Sequence, residues 1–111
     1  MKLRIPAAVV GLGLATLVFA QDGSVKILAP AAGARLDAMA DHRIAYEVVP
    51  GPRGDHTHLY VDGREVAVLR ELKGSRPLET LAPGARELCI KVVNKAHVPT
   101  GVEQCVKVKV E

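Results

Sequence analysis

The chain has 111 residues, 49% of them apolar, which is enough for one domain with a small core. Its formal net charge is +3, from 15 basic and 12 acidic side chains. The basic residues form no dense stripe and only 3% of the residues are aromatic, which argues against a nucleic-acid-binding surface.

The first twenty residues have the layout of a secretory signal peptide. Lys2 and Arg4 precede an uncharged apolar run over residues 6–19, and Ala20 provides a small residue at the cleavage point. This run is shorter than the roughly 20 residues that a membrane-spanning helix needs, although an uncleaved anchor is the alternative. Cleavage would leave residues 21–111 as one exported domain, periplasmic or secreted, with 13 basic and 12 acidic side chains and no membrane span.

Beyond the leader, apolar and polar residues alternate in short segments that are bounded by Gly, Pro, Asn or Asp. A period of two predicts β-strands, and no segment has convincing helical periodicity. About seven strands are predicted, at residues 24–27, 43–48, 56–61, 64–69, 78–81, 86–93 and 102–110. This spacing is typical of an all-β, immunoglobulin-like or fibronectin type III-like antiparallel sandwich. Residues 31–41 are compatible with either a helical turn or a bent edge strand.

The Asp62-Gly63 dipeptide is a strong signal for a tight β-hairpin. It follows the predicted strand 56–61 and precedes the strand 64–69. In such a hairpin Tyr60 is expected to pair with Glu65 on the surface of the sheet.

Cys89 and Cys105 are the two cysteines, and an even count in an exported protein favours a disulfide. If these residues face each other across a hairpin, opposite charges meet on one face of the sheet and apolar residues meet on the other. The opposed pairs predicted by this register are Glu87–Lys107, Leu88–Val106, Lys91–Glu103 and Val92–Val102. The pattern of the flanking residues therefore supports a Cys89–Cys105 disulfide.

Three of the four histidines are predicted to lie at one end of the sandwich. In this fold the third, sixth and seventh strands share a sheet, with the sixth in the middle. The strand 56–61 therefore begins beside the loop 94–101 that joins the last two strands. His56 and His58 start that strand and His97 lies near the loop tip, whereas His42 belongs to the opposite end.

The spacing of His56 and His58 puts both imidazoles on one face of the strand, about 7 Å apart. Leu59 and Val61 take the core, which predicts that the imidazoles face solvent. Neutral imidazole suits copper, zinc or nickel, so His56, His58 and His97 form a candidate metal site with an exposed, exchangeable ion. Its polar neighbours are Asp55, Asn94 and Glu103. The simpler interpretation is that these histidines are solvated surface residues.

The segments HTHLYVDG, LETLAPG and NKAHVPTGVEQCVKVKV resemble a group of small exported bacterial immunoglobulin-like proteins of unknown function. Members have a His-rich strand, a Leu-x-Pro-Gly turn and an Asn/Asp-x-x-His-x-Pro loop. The resemblance covers residues 24–110 and implies an immunoglobulin-like sandwich. The matching residues are His58, Leu59, Asp62, Leu81, Pro83, Gly84, His97 and Pro99. The chain departs from the group in its shorter histidine run, Asp-His-Thr-His, and in Ala85-Arg86 after the Pro-Gly turn.

The sequence has no motif typical of an enzyme. Ser24 and Ser75 lie in turn-like contexts far from any histidine, and there is no phosphate-binding glycine loop or HExxH helix. We therefore expect an exported, non-enzymatic binding or accessory protein that takes a transition metal such as copper, or zinc. The alternative is a protein–protein interaction or structural module of the cell envelope without metal, with Tyr60, Val98 and Pro99 as its apolar contacts.

Overall fold

The structure is a computed structural model that describes residues 23–111. The predicted signal peptide, residues 1–20, lies outside the described residues. In the described part of the chain, no helix is long and apolar enough to cross a membrane. Residues 23–111 are all β, and their strands are β1 (Ser24–Ala29), β2 (Arg35–Leu36), β3 (His42–Val49), β4 (His56–Val61), β5 (Arg64–Leu69), β6 (Lys73–Leu78), β7 (Gly84–Val93) and β8 (Pro99–Val110).

The strands form two sheets that enclose a common core. One sheet has the order β1-β3-β6, and the other has the order β2-β8-β7-β4-β5. Neighbouring strands are antiparallel except for β2 and β8. The order β8-β7-β4 is the one predicted for the seventh, sixth and third strands. The predicted antiparallel sandwich is therefore confirmed.

Alternating apolar residues build the core between the sheets. Ile44, Tyr46 and Val48 are buried on β3, and they belong to one cluster with Leu59 from β4 and Ile90 from β7. A second cluster contains Leu36, Leu88, Val106, Val108 and Val110. Each buried Leu, Ile or Val contributes about 1.5–3 kcal/mol. A core this thin is typical of small domains that are also stabilised by a disulfide.

A two-residue turn connects β4 to β5. Asp62 and Gly63 have φ angles of 51° and 84°, the left-handed pair that a type I′ turn requires. The Glu87 N–H donates to Asp62 Oδ1 at 2.9 Å, and Arg86 Nη1 donates to Asp62 Oδ2 at 3.0 Å. The turn therefore also fixes the first part of β7.

The β7–β8 hairpin contains the predicted disulfide between Cys89 and Cys105, with an S–S distance of 2.05 Å. The two cysteines lie directly opposite each other, so the register around them is the predicted one. Three of the four predicted pairs are observed: Glu87–Lys107, Leu88–Val106 and Lys91–Glu103. The charged pairs lie on the outer face of the sheet, and the apolar pair faces the core.

The predicted pairing of Val92 with Val102 is wrong. The register shifts at this point, and the next observed pair is Val93–Pro99, so β8 carries extra residues relative to β7. Gly101 has a φ of 101°, a left-handed backbone that glycine adopts without a steric penalty and that β-bulges often use. The extra residues bend the hairpin near its tip.

Two segments have a conformation that the sequence pattern did not determine. Residues 31–41 contain the short strand β2, which pairs in parallel with the end of β8. The predicted strand at residues 78–81 is wrong, because β6 ends at Leu78. Within residues 23–111, β6 is an edge strand whose one partner is β3, so it tolerates Pro77 and exposed polar residues. Its sequence, KGSRPL, therefore lacks the apolar alternation that would identify it.

Candidate metal site

The three histidines predicted to converge lie together at one end of the larger sheet. β4 pairs antiparallel with β7, which puts His56 opposite Val93, the last residue of β7. The β7–β8 loop leaves the sheet at that point and carries His97. The Nε2 atoms of His56 and His58 are 3.2 Å apart, and His97 Nδ1 lies 3.3 Å and 2.9 Å from them. We call these three side chains the histidine cluster.

The β7–β8 loop owes its shape to Asn94. The Asn94 side-chain Oδ1 accepts the N–H groups of Ala96 and Val98 at 2.9 Å and 3.0 Å. Its backbone accepts the His97 N–H and donates to the Val98 carbonyl, both at 2.9 Å. His97 has a φ of 66°, in the left-handed region. The loop is therefore closed locally, and it directs the His97 ring onto the start of β4.

His56 and His58 are buried, each only 2% exposed, so the prediction that they face solvent is wrong. Leu59 does point into the core, as expected for the neighbouring position on the strand. On the outer face, however, the three imidazole rings pack together with centroids 4.7–5.1 Å apart. The loop thus covers β4, and His97 is the exposed member of the cluster. An ion held here would have two buried ligands and one exposed ligand.

Two carboxylates orient the buried imidazoles. His56 Nδ1 is 2.9 Å from Asp55 Oδ2, and His58 Nδ1 is 3.0 Å from Glu65 Oε1. An ionised carboxylate only accepts hydrogen bonds, so each Nδ1 carries the proton and donates it. In the neutral ring the Nε2 atom then has a free lone pair. Both lone pairs point into the cluster.

Glu65 is the site residue that sequence reasoning missed, since it was assigned only to pairing with Tyr60. That pairing is present. The hairpin register shifts between Leu59 and Tyr60, so the Glu65 side chain also reaches diagonally to His58. The sequence did contain a signal for this contact, because Glu65 is a carboxylate on the neighbouring strand and lies on the same face as His58. The bulge that brings the two into contact has no counterpart in the sequence pattern.

The three nitrogens match one face of a tetrahedral metal site. Zinc and similar ions bind imidazole nitrogen at about 2.0–2.1 Å, which separates tetrahedral ligands by roughly 3.3 Å. The observed separations are 2.9–3.3 Å. His56, His58 and His97 would together hold such an ion through three imidazole nitrogens, a ligand set that zinc and copper accept. The cluster can therefore hold an ion without moving a strand.

The other polar residues considered for the site have different roles. Asn94 folds the loop, and Glu103 pairs with Lys91 across the β7–β8 hairpin. His42 begins β3, at the end of the sandwich opposite the cluster, and its Nε2 lies 2.8 Å from the Asp37 carbonyl oxygen. Among the described residues, the group that offers three imidazole nitrogens within 4.8 Å of one another is the histidine cluster.

The outer face beside the cluster carries a cation. Lys91 on β7 lies opposite His58 on β4, and the Lys91 Nζ atom is 4.6 Å from the centroid of the Tyr60 ring. An ammonium group at this distance from a ring face makes a cation–π interaction of about 0.5–1 kcal/mol at an exposed site. Tyr60 is therefore positioned by Lys91 as well as by its pairing with Glu65.

Comparison with known proteins identifies the fold. The chain matches a structure of fibronectin(III)-like modules of Clostridium thermocellum CbhA with a TM-score of 0.65 and 17% identity, over 81% of this chain and 47% of that one. The chain has a fibronectin type III-like fold. An engineered protein matches with a TM-score of 0.56 and 19% identity, over 80% of this chain and 20% of that one.

A third structure is the extracellular domain of a Bacteroides thetaiotaomicron protein described as a one-component system. It matches with a TM-score of 0.51 and 11% identity, over 79% of this chain and 15% of the other. The chain thus spans less than half the length of each of these three. No protein-family model and no curated protein matches the sequence. The resemblance to the small exported His-rich group therefore stays a prediction.

Proposed function

We propose that this protein is an exported, non-enzymatic binding or accessory protein that holds one transition-metal ion at His56, His58 and His97. Copper is the proposed ion and zinc the alternative, because neutral imidazole suits both. The predicted leader and the Cys89–Cys105 disulfide support an oxidising compartment such as the periplasm.

The observation that carries the proposal is the convergence of two buried imidazole nitrogens, of His56 and His58, with the Nδ1 atom of His97. His56 Nε2 and His58 Nε2 are 3.2 Å apart, and the Nδ1 atom of each ring donates a hydrogen bond to a carboxylate on the other side. His97 can supply a proton to one of them at most. With neutral rings, the three facing nitrogens therefore share one proton at most, and they cannot all be paired by separate hydrogen bonds. A cation bound by all three nitrogens would satisfy each of them.

The carboxylates add a second reason. Asp55 and Glu65 bind the imidazoles on the side away from the cluster, an arrangement common among metal-binding histidines. Such partners fix the ring orientation and make the ligating nitrogen more basic. Their two negative charges also compensate the charge of a divalent ion. Hydrated surface histidines need none of these contacts.

Metal titration of the protein tests the proposal. Isothermal titration with Cu(II) or Zn(II) at neutral pH is expected to give one ion per chain, and binding is expected to weaken in acid because protons compete for the ligand nitrogens. His58→Ala is expected to abolish this binding. His42→Ala is the matched control, since it removes an imidazole at the opposite end of the sandwich. If excess metal fails to raise the thermal stability and His58→Ala binds as the wild type does, the proposal is wrong.

The competing function is that of an interaction or structural module of the cell envelope that needs no metal. It is favoured by the exposure of Val98, 53%, next to His97 in the loop. Val98→Asp removes this apolar contact and leaves the three imidazoles in place. A loss of recovery of envelope proteins in a pull-down with Val98→Asp, together with normal recovery with His58→Ala, would favour the interaction module over the metal site.

A further inference from the structure

A second group of ligand-type atoms lies on the outer face of the same sheet. A carboxylate oxygen of Glu87 and the Sγ atoms of Cys89 and Cys105 lie within 4.8 Å of one another. In the oxidised protein the sulfurs are bonded to each other and are not available as thiolates. We propose that reduction of the disulfide converts these three side chains into a second metal site, with affinity for a thiophilic divalent cation such as Zn(II) or Cd(II).

The backbone holds the two sulfurs together without the disulfide. Cys89 and Cys105 are directly opposed on β7 and β8, with Cα atoms 4.0 Å apart. The pairs Leu88–Val106 and Ile90–Gln104 continue the ladder on either side. A tetrahedral site with Zn–S bonds of about 2.3 Å separates its sulfurs by roughly 3.8 Å. Rotation of the two reduced side chains can provide this distance while the strands stay in place.

Glu87 is fixed beside the sulfurs. Its backbone N–H donates to Asp62 Oδ1 at 2.9 Å, and its carbonyl accepts the Asp62 N–H at 2.9 Å. Lys107 lies directly opposite Glu87. The ion pairs found among residues 23–111 nevertheless do not include the Glu87 carboxylate. The backbone of Glu87 is therefore held in place, and its carboxylate, within 4.8 Å of both sulfurs, is available as the third ligand.

The chemistry of the switch requires a reductant. Cys105 is exposed and Cys89 is 5% exposed, so an external dithiol can attack the bond from the outer face. The dithiol transfers two electrons and two protons to the disulfide, is itself oxidised to a disulfide, and leaves two protein thiols. A divalent cation then displaces the two thiol protons and binds both thiolates and the Glu87 carboxylate. Exchange with a small-molecule disulfide would reverse the switch: it would release the cation, re-form the Cys89–Cys105 bond and leave the small molecule reduced to two thiols.

This site is independent of the histidine cluster. Tyr60 lies opposite Cys89, and Lys91 lies opposite His58, so the Tyr60–Lys91 pair stands between the two groups. Imidazole nitrogens would hold copper or zinc in either redox state, whereas the sulfur site would exist only in the reduced protein. The outer face of one sheet would thus carry a permanent site and a redox-dependent site.

The test uses the double variant His56→Ala/His58→Ala, which lacks the first site. The protein is reduced, freed of reductant without oxygen, and titrated with Cd(II), while the ultraviolet thiolate-to-cadmium charge-transfer absorption is recorded. We expect one equivalent to bind and to give this absorption in the reduced protein, and no such absorption in the oxidised protein. Glu87→Gln should weaken binding at least about tenfold, the lower limit seen when even an indirect partner of a metal is lost.

Glu103→Gln is the matched control, because Glu103 is also an outer-face carboxylate of this hairpin but does not belong to the group of Glu87, Cys89 and Cys105. Equal losses in Glu87→Gln and Glu103→Gln would overturn the assignment of the third ligand. Absence of the absorption in the reduced protein would overturn the site. Circular dichroism covers the case in which reduction unfolds the domain: Cd(II) is then expected to refold it, and a chain that stays unfolded with Cd(II) contradicts the proposal.

Discussion

Glu65 accepts the Nδ1–H bond of His58, and its replacement by glutamine is expected to weaken metal binding although Glu65 is not a ligand. Loss of such an indirect partner typically costs 10–100-fold in metal affinity, about 1.4–2.8 kcal/mol. The Glu65 side chain is 48% exposed, so water can replace part of its effect. We therefore expect a loss near the lower limit, about tenfold, because glutamine keeps an acceptor oxygen and removes the charge.

The affinity of Glu65→Gln for Cu(II) or Zn(II) is best measured by competition with a coloured chelator, side by side with the wild type. Glu103→Gln serves as the control, since it removes the same charge from the same face without contacting a histidine. Its affinity should equal that of the wild type. Unchanged affinity in Glu65→Gln, or an equal loss in both variants, would refute the role of the carboxylate.

Three further predictions concern stability and pH. Thr57 is fully buried and its Oγ1 has no hydrogen-bond partner. Thr57→Val should therefore raise the free energy of unfolding in urea by about 1 kcal/mol. A free energy of unfolding below that of the wild type would contradict this. A Cβ at Gly54 would overlap the Pro50 carbonyl oxygen and the Val92 side chain. Gly54→Ala should therefore lower the free energy of unfolding by about 1–3 kcal/mol, and it should weaken metal binding because it displaces the residues that follow. Wild-type stability in this variant would contradict the prediction. The Glu87 N–H, and then Arg86, lower the pKa of Asp62 from its usual 3.8. The stability that Asp62 contributes is fully present above pH 3.8 and is lost as the pH falls through the folded-state pKa. In urea unfolding, Asp62→Asn should therefore lose less stability between pH 5 and pH 2 than the wild type does. Equal losses in the two proteins would argue against this role of Asp62.

The sequence was sufficient to predict the β7–β8 hairpin and its disulfide. Charges at Glu87, Lys91 and Lys107 fix which face of the hairpin is polar, and the cysteines fix the register. The pairing fails only beyond Lys91, where a bulge depends on the loop that follows rather than on strand alternation. Local pattern therefore determines the ladder but not the way it ends.

The convergence of the histidines was also predictable, because strand order alone brings the start of β4 to the β7–β8 loop. Their burial was not. Alternation assigns His56 and His58 to the outer face, which is correct, but it contains no information about a loop that folds back over that face. The hydrogen bonds of Asn94 close the loop locally, but they do not determine how the closed loop lies against the sheet. The same limit applies to β6, whose polar edge-strand sequence has no periodicity to detect.

X-ray absorption spectroscopy of the protein loaded with one equivalent of copper or zinc tests the central claim most directly, because it counts the ligands of the ion. We expect three imidazole nitrogens at about 2.0 Å, with the imidazole contribution lost in the His56→Ala/His58→Ala variant. A spectrum dominated by oxygen ligands, or one that is unchanged in that variant, would contradict a metal site at His56, His58 and His97.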